Sequence, residues 1–249
     1  MSRSGTGPLQ TASLKEMIAE NLKIVREQVA VACRSAGRPL EDVALMAVSK
    51  VHPAEFLLEA YAAGHRLFGE NRVQEFEGKA ASLGEAFHGS DQACFHLIGP
   101  LQNNKTSKAA ELFDAVDTID SAKTAKRLES ALGAGQKSLA ILVEVKLSHE
   151  ESKHGIAPDA LPDLLDQLAE LKQVQVRGLM TVPPWSEDPE LARPYFRRLR
   201  ALRDRLQATH ADLTQLSMGM SNDFAVAVEE GSTCVRIGTA IFGRRISKP

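Results

Sequence analysis

The sequence predicts an α/β fold: a single (β/α)8 barrel of the TIM type, with one additional helix in front of its first strand. Short β-rich runs alternate with helical patterns, eight such runs can be counted, and a length of 249 residues is usual for one barrel. Strands separated by helices pair in parallel through right-handed crossovers. An open, doubly wound sheet is the alternative, and eight units of this length favour the closed barrel.

The leading helix is predicted over residues 14–36. Apolar residues, among them Leu14, Leu22 and Val25, recur at approximately helical spacing, and Gly37 stops the pattern. Eight strands follow, each a short run of β-branched and other apolar residues: 43–51, 66–71, 94–99, 115–119, 139–147, 174–182, 215–220 and 234–242. The segments between them show helical patterning: 53–63, 73–83, 104–113, 121–132, 159–172, 189–208 and 223–230.

Composition excludes several classes of function. The formal net charge is -2 and the pI is about 6.4, so the chain has no basic field for nucleic acid or an anionic membrane. No apolar run is long enough to span a bilayer. The three cysteines, Cys33, Cys94 and Cys234, lack the spacing of a disulfide framework or a zinc site. A reducing cytoplasm is therefore the expected location.

Residues 1–12 are polar and contain two glycines, so they are expected to form a flexible tail rather than a signal peptide. No linker or low-complexity stretch divides residues 13–249. One domain is therefore expected over that range.

Lys50 comes at the end of the first predicted strand, after the apolar run 43–49. Carboxyl ends of barrel strands face the active-site mouth, so Lys50, Asn71 after the second strand and Thr181 near the end of the sixth are candidates for one cavity. Partial desolvation favours a neutral amine, which can form a Schiff base with a carbonyl compound. A solvated lysine at a strand end is the alternative.

The segment 216–223 has the pattern of a strand that passes through a glycine turn into a helix, with Ser221 as the predicted N-cap. Free amides, the helix dipole and the serine hydroxyl would suit a phosphate at this point. Asp223 in the first turn would repel an anion, and an ordinary N-cap is the alternative interpretation.

Arg236 lies within the apolar run of the last predicted strand, where an arginine must be paired or must bind a ligand. A salt bridge to a barrel carboxylate such as Glu144 is the alternative. Gly238 and Thr239 would let backbone amides approach a ligand, close to the strands where barrel phosphate sites often lie. Because barrel closure makes the first and last strands neighbours, Lys50 would meet this cradle. The combination indicates pyridoxal 5'-phosphate (PLP), an aldehyde that carries a phosphate.

Seven motifs are specific as an ordered set, although none is specific alone: Ala47-Val48-Ser49-Lys50 with Pro53, Phe68-Gly69-Glu70-Asn71 with Gln74-Glu75, residues 96–105, Glu150-Glu151-Ser152-Lys153 with Gly155, Arg177-Gly178-Leu179-Met180, residues 216–221 with Asp223, and residues 231–243. On these motifs the chain resembles the YggS/PROSC-like pyridoxal phosphate homeostasis proteins, from the leading helix to Arg244.

The resemblance implies a fold type III PLP-binding barrel, like the N-terminal domain of alanine racemase, over residues 13–249. It also implies these cofactor contacts: PLP on Lys50, its phosphate held by Ser221, Gly238 and Thr239, its pyridine nitrogen facing Arg236, and Asn71 on the cofactor side. Two positions depart from the family. Lys146 stands where an asparagine is common, and His149 stands where a glycine is usual. Both departures concern the rim of the fifth strand and not the cofactor site.

Four other residues are expected to have structural or surface roles rather than roles in catalysis. His96, inside an apolar strand, is expected to be held by hydrogen bonds in the core, and His52 is expected to be a solvated loop residue. Lys105 is expected to be a solvated surface lysine. Trp185 is expected to lie in a loop, and a role as a lid over the cavity is the alternative.

Arg236 also bears on the class of function. An arginine at the pyridine nitrogen leaves the ring a weaker electron sink than a carboxylate does, which argues against an aminotransferase-like enzyme. Racemisation needs a base on each face of the substrate. In alanine racemase the resemblance implies that the second base comes from a C-terminal β-domain, which this chain is expected to lack. Its two tyrosines, Tyr61 and Tyr195, lie on predicted helices.

The expected function is to carry or buffer PLP through a Schiff base on Lys50 and so to support intracellular PLP homeostasis. A monomer is expected, with PLP as ligand and apo PLP-dependent enzymes as recipients. A PLP-dependent amino-acid racemase or lyase is the alternative. A PLP-free Schiff-base aldolase is a third hypothesis.

Overall fold

A computed structural model of the protein describes residues 13–133, 137–148, 150 and 154–243. The predicted tail, residues 1–12, lies outside this part. Eight strands form a closed barrel in chain order, and every neighbouring pair is parallel, the last strand pairing with the first. The predicted (β/α)8 barrel is confirmed. The strands are β1 Ala44–Val48, β2 Leu67–Glu70, β3 Cys94–Leu97, β4 Ala115–Ile119, β5 Leu139–Glu144, β6 Val174–Met180, β7 Gln215–Met220 and β8 Cys234–Ile237.

Helices surround the barrel in alternation with its strands. Within the described residues they are α1 Leu14–Ser35, α2 Ala54–Ala62, α3 Val73–Ala80, α4 Glu85–His88, α5 Thr106–Leu112, α6 Ala122–Leu132, α7 Leu161–Ala169, α8 Arg193–Leu206, α9 Phe224–Glu229 and α10 Thr239–Phe242. None of these helices is both long and apolar enough to cross a membrane.

The leading helix α1 is confirmed and is part of the barrel wall. Ser13 and Glu16 form a capping box at its start, which satisfies backbone donors that the helix leaves unpaired. One face, which includes Leu22 and Val25, is buried against α2, α9 and α10. The Asn21 amide donates to the Ile241 carbonyl at 2.9 Å. The first helix is thereby joined to the last.

The main core lies between the strands and the helices, and phenylalanines dominate its β2–β3 side. Phe95 of β3 packs against Phe76 of α3, with ring centroids 4.7 Å apart, and against Phe68 of β2 at 5.4 Å. Because side chains alternate along a strand, the outward direction of Phe95 turns Cys94 and His96 into the barrel. The barrel interior is therefore partly polar.

Six strands end earlier than the sequence predicts, and three of them, β1, β5 and β8, do so by three residues or more. β1 ends at Val48 because the chain then turns, and Val51 adopts a left-handed φ of 63° that a strand cannot contain. β8 ends at Ile237 because the Ile241 and Phe242 amides donate to the Gly238 carbonyl and begin α10. β5 ends at Glu144. At two of these ends, the residues beyond the strand line the mouth of the barrel.

Candidate functional site

A cavity of about 570 Å3 opens at the carboxyl ends of the strands. Its lining comes from six of the strand ends and from loops that follow them: Val48, Lys50, Asn71, Ile98, Val182, Trp185, Met220, Ser221, Arg236, Gly238 and Thr239. The structure thus brings all six residues of the predicted cofactor site to one cavity, from both ends of the chain. Their contacts with a ligand remain predictions.

Lys50 is half-buried in the turn between β1 and α2. The residue before it, Ser49, is fully buried, and the residue after it, Val51, has its left-handed backbone conformation in spite of a β-branched side chain. A non-glycine residue with this φ is uncommon and persists only where surrounding contacts hold it. The turn that presents Lys50 is therefore held in place by its neighbours.

Those contacts come from an ionic network that sequence reasoning did not identify. The ammonium nitrogen of Lys79 on α3 lies 2.8 Å from the Glu70 carboxylate, 2.8 Å from the Glu75 carboxylate and 3.0 Å from the Ser49 carbonyl oxygen. The Ser49 hydroxyl donates to Glu70 at 2.8 Å, and the Val51 amide donates to Glu75 at 2.5 Å. We refer to Glu70, Glu75 and Lys79 as the lysine clamp.

Burial and charge act differently on the two carboxylates of the lysine clamp. Burial raises the pKa of Glu70, and the Lys79 ammonium opposes that increase only in part. Burial also raises the pKa of Glu75, but there the hydrogen bonds from Lys79 and from the Val51 amide prevail, so the net pKa is lowered. Glu75 is therefore held as the charged acceptor that the Val51 amide requires.

The sequence signal for this network is weak. Glu75 and Lys79 stand four residues apart on a helix, a spacing that also describes ordinary surface ion pairs. Glu70 gives the better signal, because a carboxylate at the end of an apolar strand must find a partner. Its partner lies on the following helix and could not be named without the fold.

The predicted phosphate side of the cavity is formed by two adjacent turns, one after β7 and one after β8. Ser221 lies exposed in the first turn, but it is not an N-cap as predicted, because α9 begins only at Phe224 with Asp223 at the N-cap position. The Asp223 carboxylate accepts the Met220 amide at 2.6 Å and tightens the turn. Burial raises the pKa of Asp223.

The second turn differs from the extended strand that the sequence predicts. Thr239 is the first residue of α10, and the first amides of a helix have no acceptor within it. Gly238 comes close to the first strand, since a Cβ there would lie 3.2 Å from the Val48 carbonyl oxygen. This glycine lets the end of β8 approach the strand that leads to Lys50.

Arg236 is buried to 4% exposure and points across the barrel. Its guanidinium donates to the Ser217 hydroxyl at 2.7 Å and to the Thr181 carbonyl at 3.0 Å. Burial lowers the pKa of Arg236, and the negative charges around it, including Glu144, oppose this. The hydrogen bonds of Arg236 thus go to two neutral oxygen atoms rather than to the Glu144 carboxylate that the alternative interpretation names. Thr181, predicted to face the cavity, instead orients Arg236, and Val182 lines the cavity in its place.

His96 is paired inside the barrel, as expected. Its Nδ1 lies 3.0 Å from Asp117 of the next strand. Burial alone would lower the pKa of His96, but the charge and hydrogen bond of Asp117 outweigh burial and raise that pKa to about 10. His96 is not among the lining residues of the cavity that the structure describes. The pair therefore belongs to the barrel interior.

The remaining expectations have mixed outcomes. Trp185 is in a loop, 73% exposed, and lines the cavity. His52 is not solvated: it is 7% exposed, and its ring lies 4.9 Å from that of Phe56.

Lys105 is half-buried in a neighbouring groove that shares Asn71 with the cavity. The Lys146 amide donates to Ile156, and its side-chain role stays open. His149 and the adjacent residues 151–153 lie outside the described part of the chain.

Comparison with known proteins gives three results. The family model described as the N-terminal domain of alanine racemase matches residues 9–245. A relative from Aquifex aeolicus named pyridoxal phosphate homeostasis protein is 41% identical over 91% of this chain and 97% of its own length. The Escherichia coli K12 protein of the same name is 40% identical over 92% and 97%.

Solved structures agree with these matches. PipY of Synechococcus elongatus PCC7942, solved with PLP bound, is 41% identical and superimposes with a TM-score of 0.79, covering 91% of this chain and all of PipY. The alanine racemase of Clostridium difficile 630 superimposes with a TM-score of 0.71 over 92% of this chain and 58% of the racemase, at 13% identity. The racemase likeness concerns the fold alone.

Proposed function

This chain belongs to the alanine racemase N-terminal domain family and, within it, to the pyridoxal phosphate homeostasis proteins, and we propose on this basis that it binds PLP at Lys50 and holds it for the cell's supply. The observation that carries the proposal is the single cavity in which Lys50 from the start of the chain meets Ser221, Gly238 and Thr239 from its end.

The donor set of the cavity fits this cofactor. PLP supplies an aldehyde that forms a Schiff base with a lysine amine, and it carries a phosphate and a pyridine nitrogen. Lys50 supplies the amine. Ser221 and the first amides of α10 at Thr239 supply hydrogen-bond donors for the phosphate, and the glycine at 238 keeps Cβ atoms away from that turn.

Arg236 argues against an aminotransferase-like enzyme and leaves a carrier or a racemase-like enzyme. Ser217 and Thr181 fix its guanidinium, which can only donate hydrogen bonds. A permanently protonated donor at the pyridine nitrogen favours the unprotonated ring, a weaker electron sink than the one used by enzymes with a carboxylate there. The residue therefore positions the cofactor without strongly activating it.

The two tyrosines do not supply a second base at the cavity. The Tyr61 hydroxyl donates to the Asp91 carbonyl, and Tyr195 packs partly buried on α8 against the outer core. Among the described residues that line the cavity, Lys50 is the one amine or imidazole. For the racemase or lyase alternative, the decisive measurement is α-deuterium exchange over a panel of amino acids, and we expect none at enzyme-like rates.

The proposal is tested by Lys50→Ala. Wild-type protein mixed with PLP and reduced with borohydride should carry a pyridoxyl adduct on the peptide that contains Lys50, and Lys50→Ala should lose that adduct. Lys105→Ala, in the neighbouring groove, is the control and should keep it. A wild-type protein without an adduct at Lys50 would defeat the proposal. A sugar-derived adduct there would instead support the aldolase hypothesis.

Delivery of PLP to apo-enzymes is part of the proposal. Transfer from the loaded protein to an apo-enzyme in the presence of a trap for free PLP would support direct transfer, and its loss with the trap would indicate release into solution. We also propose a monomer of one domain over residues 13–249 in the cytoplasm. The three cysteines, which are all free thiols, support that location. Sedimentation of the loaded protein tests the oligomeric state.

A further inference from the structure

We infer that Lys79 is a positioning residue for Lys50: through the lysine clamp it fixes the backbone on both sides of Lys50 and so directs its amine into the cavity. This inference rests on the proposed attachment of PLP to Lys50. Lys79 itself lies on α3 and is not among the residues that line the cavity.

The first support is where the clamp makes its contacts. Lys79 donates directly to the carbonyl oxygen of Ser49, the residue before Lys50. It also holds Glu75, whose carboxylate accepts the amide of Val51, the residue after Lys50. One ammonium group therefore determines the hydrogen bonding of both peptide neighbours of the cofactor lysine.

The second support is that Lys79 is saturated and buried. An ammonium group has three donors, and the Lys79 contacts with Glu70, Glu75 and the Ser49 carbonyl use all three. The side chain is only 10% exposed. A pair this deeply buried is not explained by stability alone, because burial of charge often costs as much as the pairing returns.

The third support is the conformation that the clamp maintains. Val51 has the left-handed φ of 63°, although its side chain is 55% exposed and has little packing to hold it there. The Val51 amide is directed at Glu75 by this conformation. If the clamp is removed, the turn can relax toward an extended backbone, and relaxation would swing the Lys50 side chain.

The experiment compares Lys79→Met with wild-type protein in two binding assays. The first measures the rate at which PLP forms a borohydride-reducible adduct at Lys50. The second measures the affinity for pyridoxine 5'-phosphate, the alcohol analogue, which cannot join a lysine. A positioning role predicts an adduct rate at Lys50 reduced by roughly tenfold or more, with analogue affinity within about twofold of wild type.

Lys137→Met is the matched control, because Lys137 also donates to main-chain carbonyls, those of Ala110, Glu111 and Phe113, away from the cavity. It should change neither assay. Equal adduct rates in Lys79→Met and wild type would overturn the inference, and so would a parallel loss of analogue binding, which would indicate a merely structural role. Absence of the wild-type adduct would instead defeat the proposed function.

A second pair of variants tests the clamp even if Lys79→Met does not fold. Glu75→Gln retains an oxygen that can accept the Val51 amide, whereas Glu75→Ala removes it. We expect Glu75→Ala to slow adduct formation at Lys50 and Glu75→Gln to recover most of the rate, with analogue binding equal in both. Equal adduct rates for the two variants would overturn the inference.

Discussion

Val51 combines a β-branched side chain with a left-handed backbone, a combination that costs of order 1–3 kcal/mol. Its side chain is more than half exposed, so packing gives little in return. The hydrogen bond from its amide to Glu75 is the contact that holds it. Stability has been lost at this position next to Lys50, as is common at functional sites.

Val51→Asn should therefore stabilise the protein. Asparagine tolerates the left-handed region and keeps the backbone amide, so we expect the free energy of unfolding to rise by about 1 kcal/mol. Urea unfolding of the cofactor-free protein measures this. Val51→Ala is the control, since the Cβ of alanine is also unfavourable at a left-handed φ. An Asn variant with no higher free energy of unfolding than the Ala variant would show that the backbone of Val51 is not strained.

The pair of His96 and Asp117 gives the protein a defined dependence on pH. Because the pKa of His96 is raised in the folded protein from its ordinary 6.5 to about 10, the charged histidine stabilises the fold. That contribution is complete below pH 6.5 and is lost as the pH rises through about 10. Because the pair is largely buried, salt screens this contribution less than it screens a surface ion pair.

Asp117→Asn should remove this dependence. We expect the variant to lose stability relative to wild type most strongly at pH 6.5 and least near pH 10, as measured by urea unfolding across that range. Asp114→Asn is the control: its carboxylate accepts the Phe95 amide, and within the described residues it forms no ion pair with a histidine. A stability difference that does not vary with pH would show that His96 is neutral in the folded protein.

The end of β3 and the end of β2 touch at a point where only glycine fits. A Cβ at Gly99 would lie 2.2 Å from the Asn71 carbonyl oxygen, well inside van der Waals contact. The contact is made by the backbone of Asn71, whose residue also lines the cavity. Packing between two strand ends therefore determines where a predicted cofactor residue lies.

Gly99→Ala should affect stability and binding together. We expect a loss of about 1–3 kcal/mol in the free energy of unfolding, because the two backbones must separate, and weaker pyridoxine 5'-phosphate binding because Asn71 moves. Gly78→Ala is the control, since a Cβ there meets nothing within 4 Å and alanine favours α3. Unchanged affinity for pyridoxine 5'-phosphate in Gly99→Ala would show that Asn71 does not contribute to cofactor binding.

The strand order and the leading helix could be predicted because short β-rich runs alternate in the sequence with segments of helical spacing. Strand ends were not: the turn after Val48 depends on Glu75, which lies on another element, and the turn into α10 replaces a run that reads as strand. For the same reason Lys50 and Arg236 were identifiable from their anomalous positions, whereas Lys79 resembled a surface lysine. Tertiary contacts decide what local patterns leave open.

Helix α1 packs along the seam where the barrel closes. Leu22→Ala should therefore destabilise the whole barrel, by about 2–5 kcal/mol, since Leu22 is fully buried against neighbouring helices. Ile24→Ala, 46% exposed on the same helix, should change the free energy of unfolding by no more than about 0.5 kcal/mol. Similar values for both variants, measured by urea unfolding, would mean that α1 is not integral to the barrel.

The pairing of β1 with β8 has a consequence for how the protein is made. Lys50 leaves the ribosome early, but Arg236, Gly238 and Thr239 follow nearly two hundred residues later, and contacts of such long sequence separation form slowly. If PLP is held as proposed, the nascent chain can bind it only after its last strand has been released and has docked onto the first. Binding of PLP at this site would therefore require a barrel that has already closed.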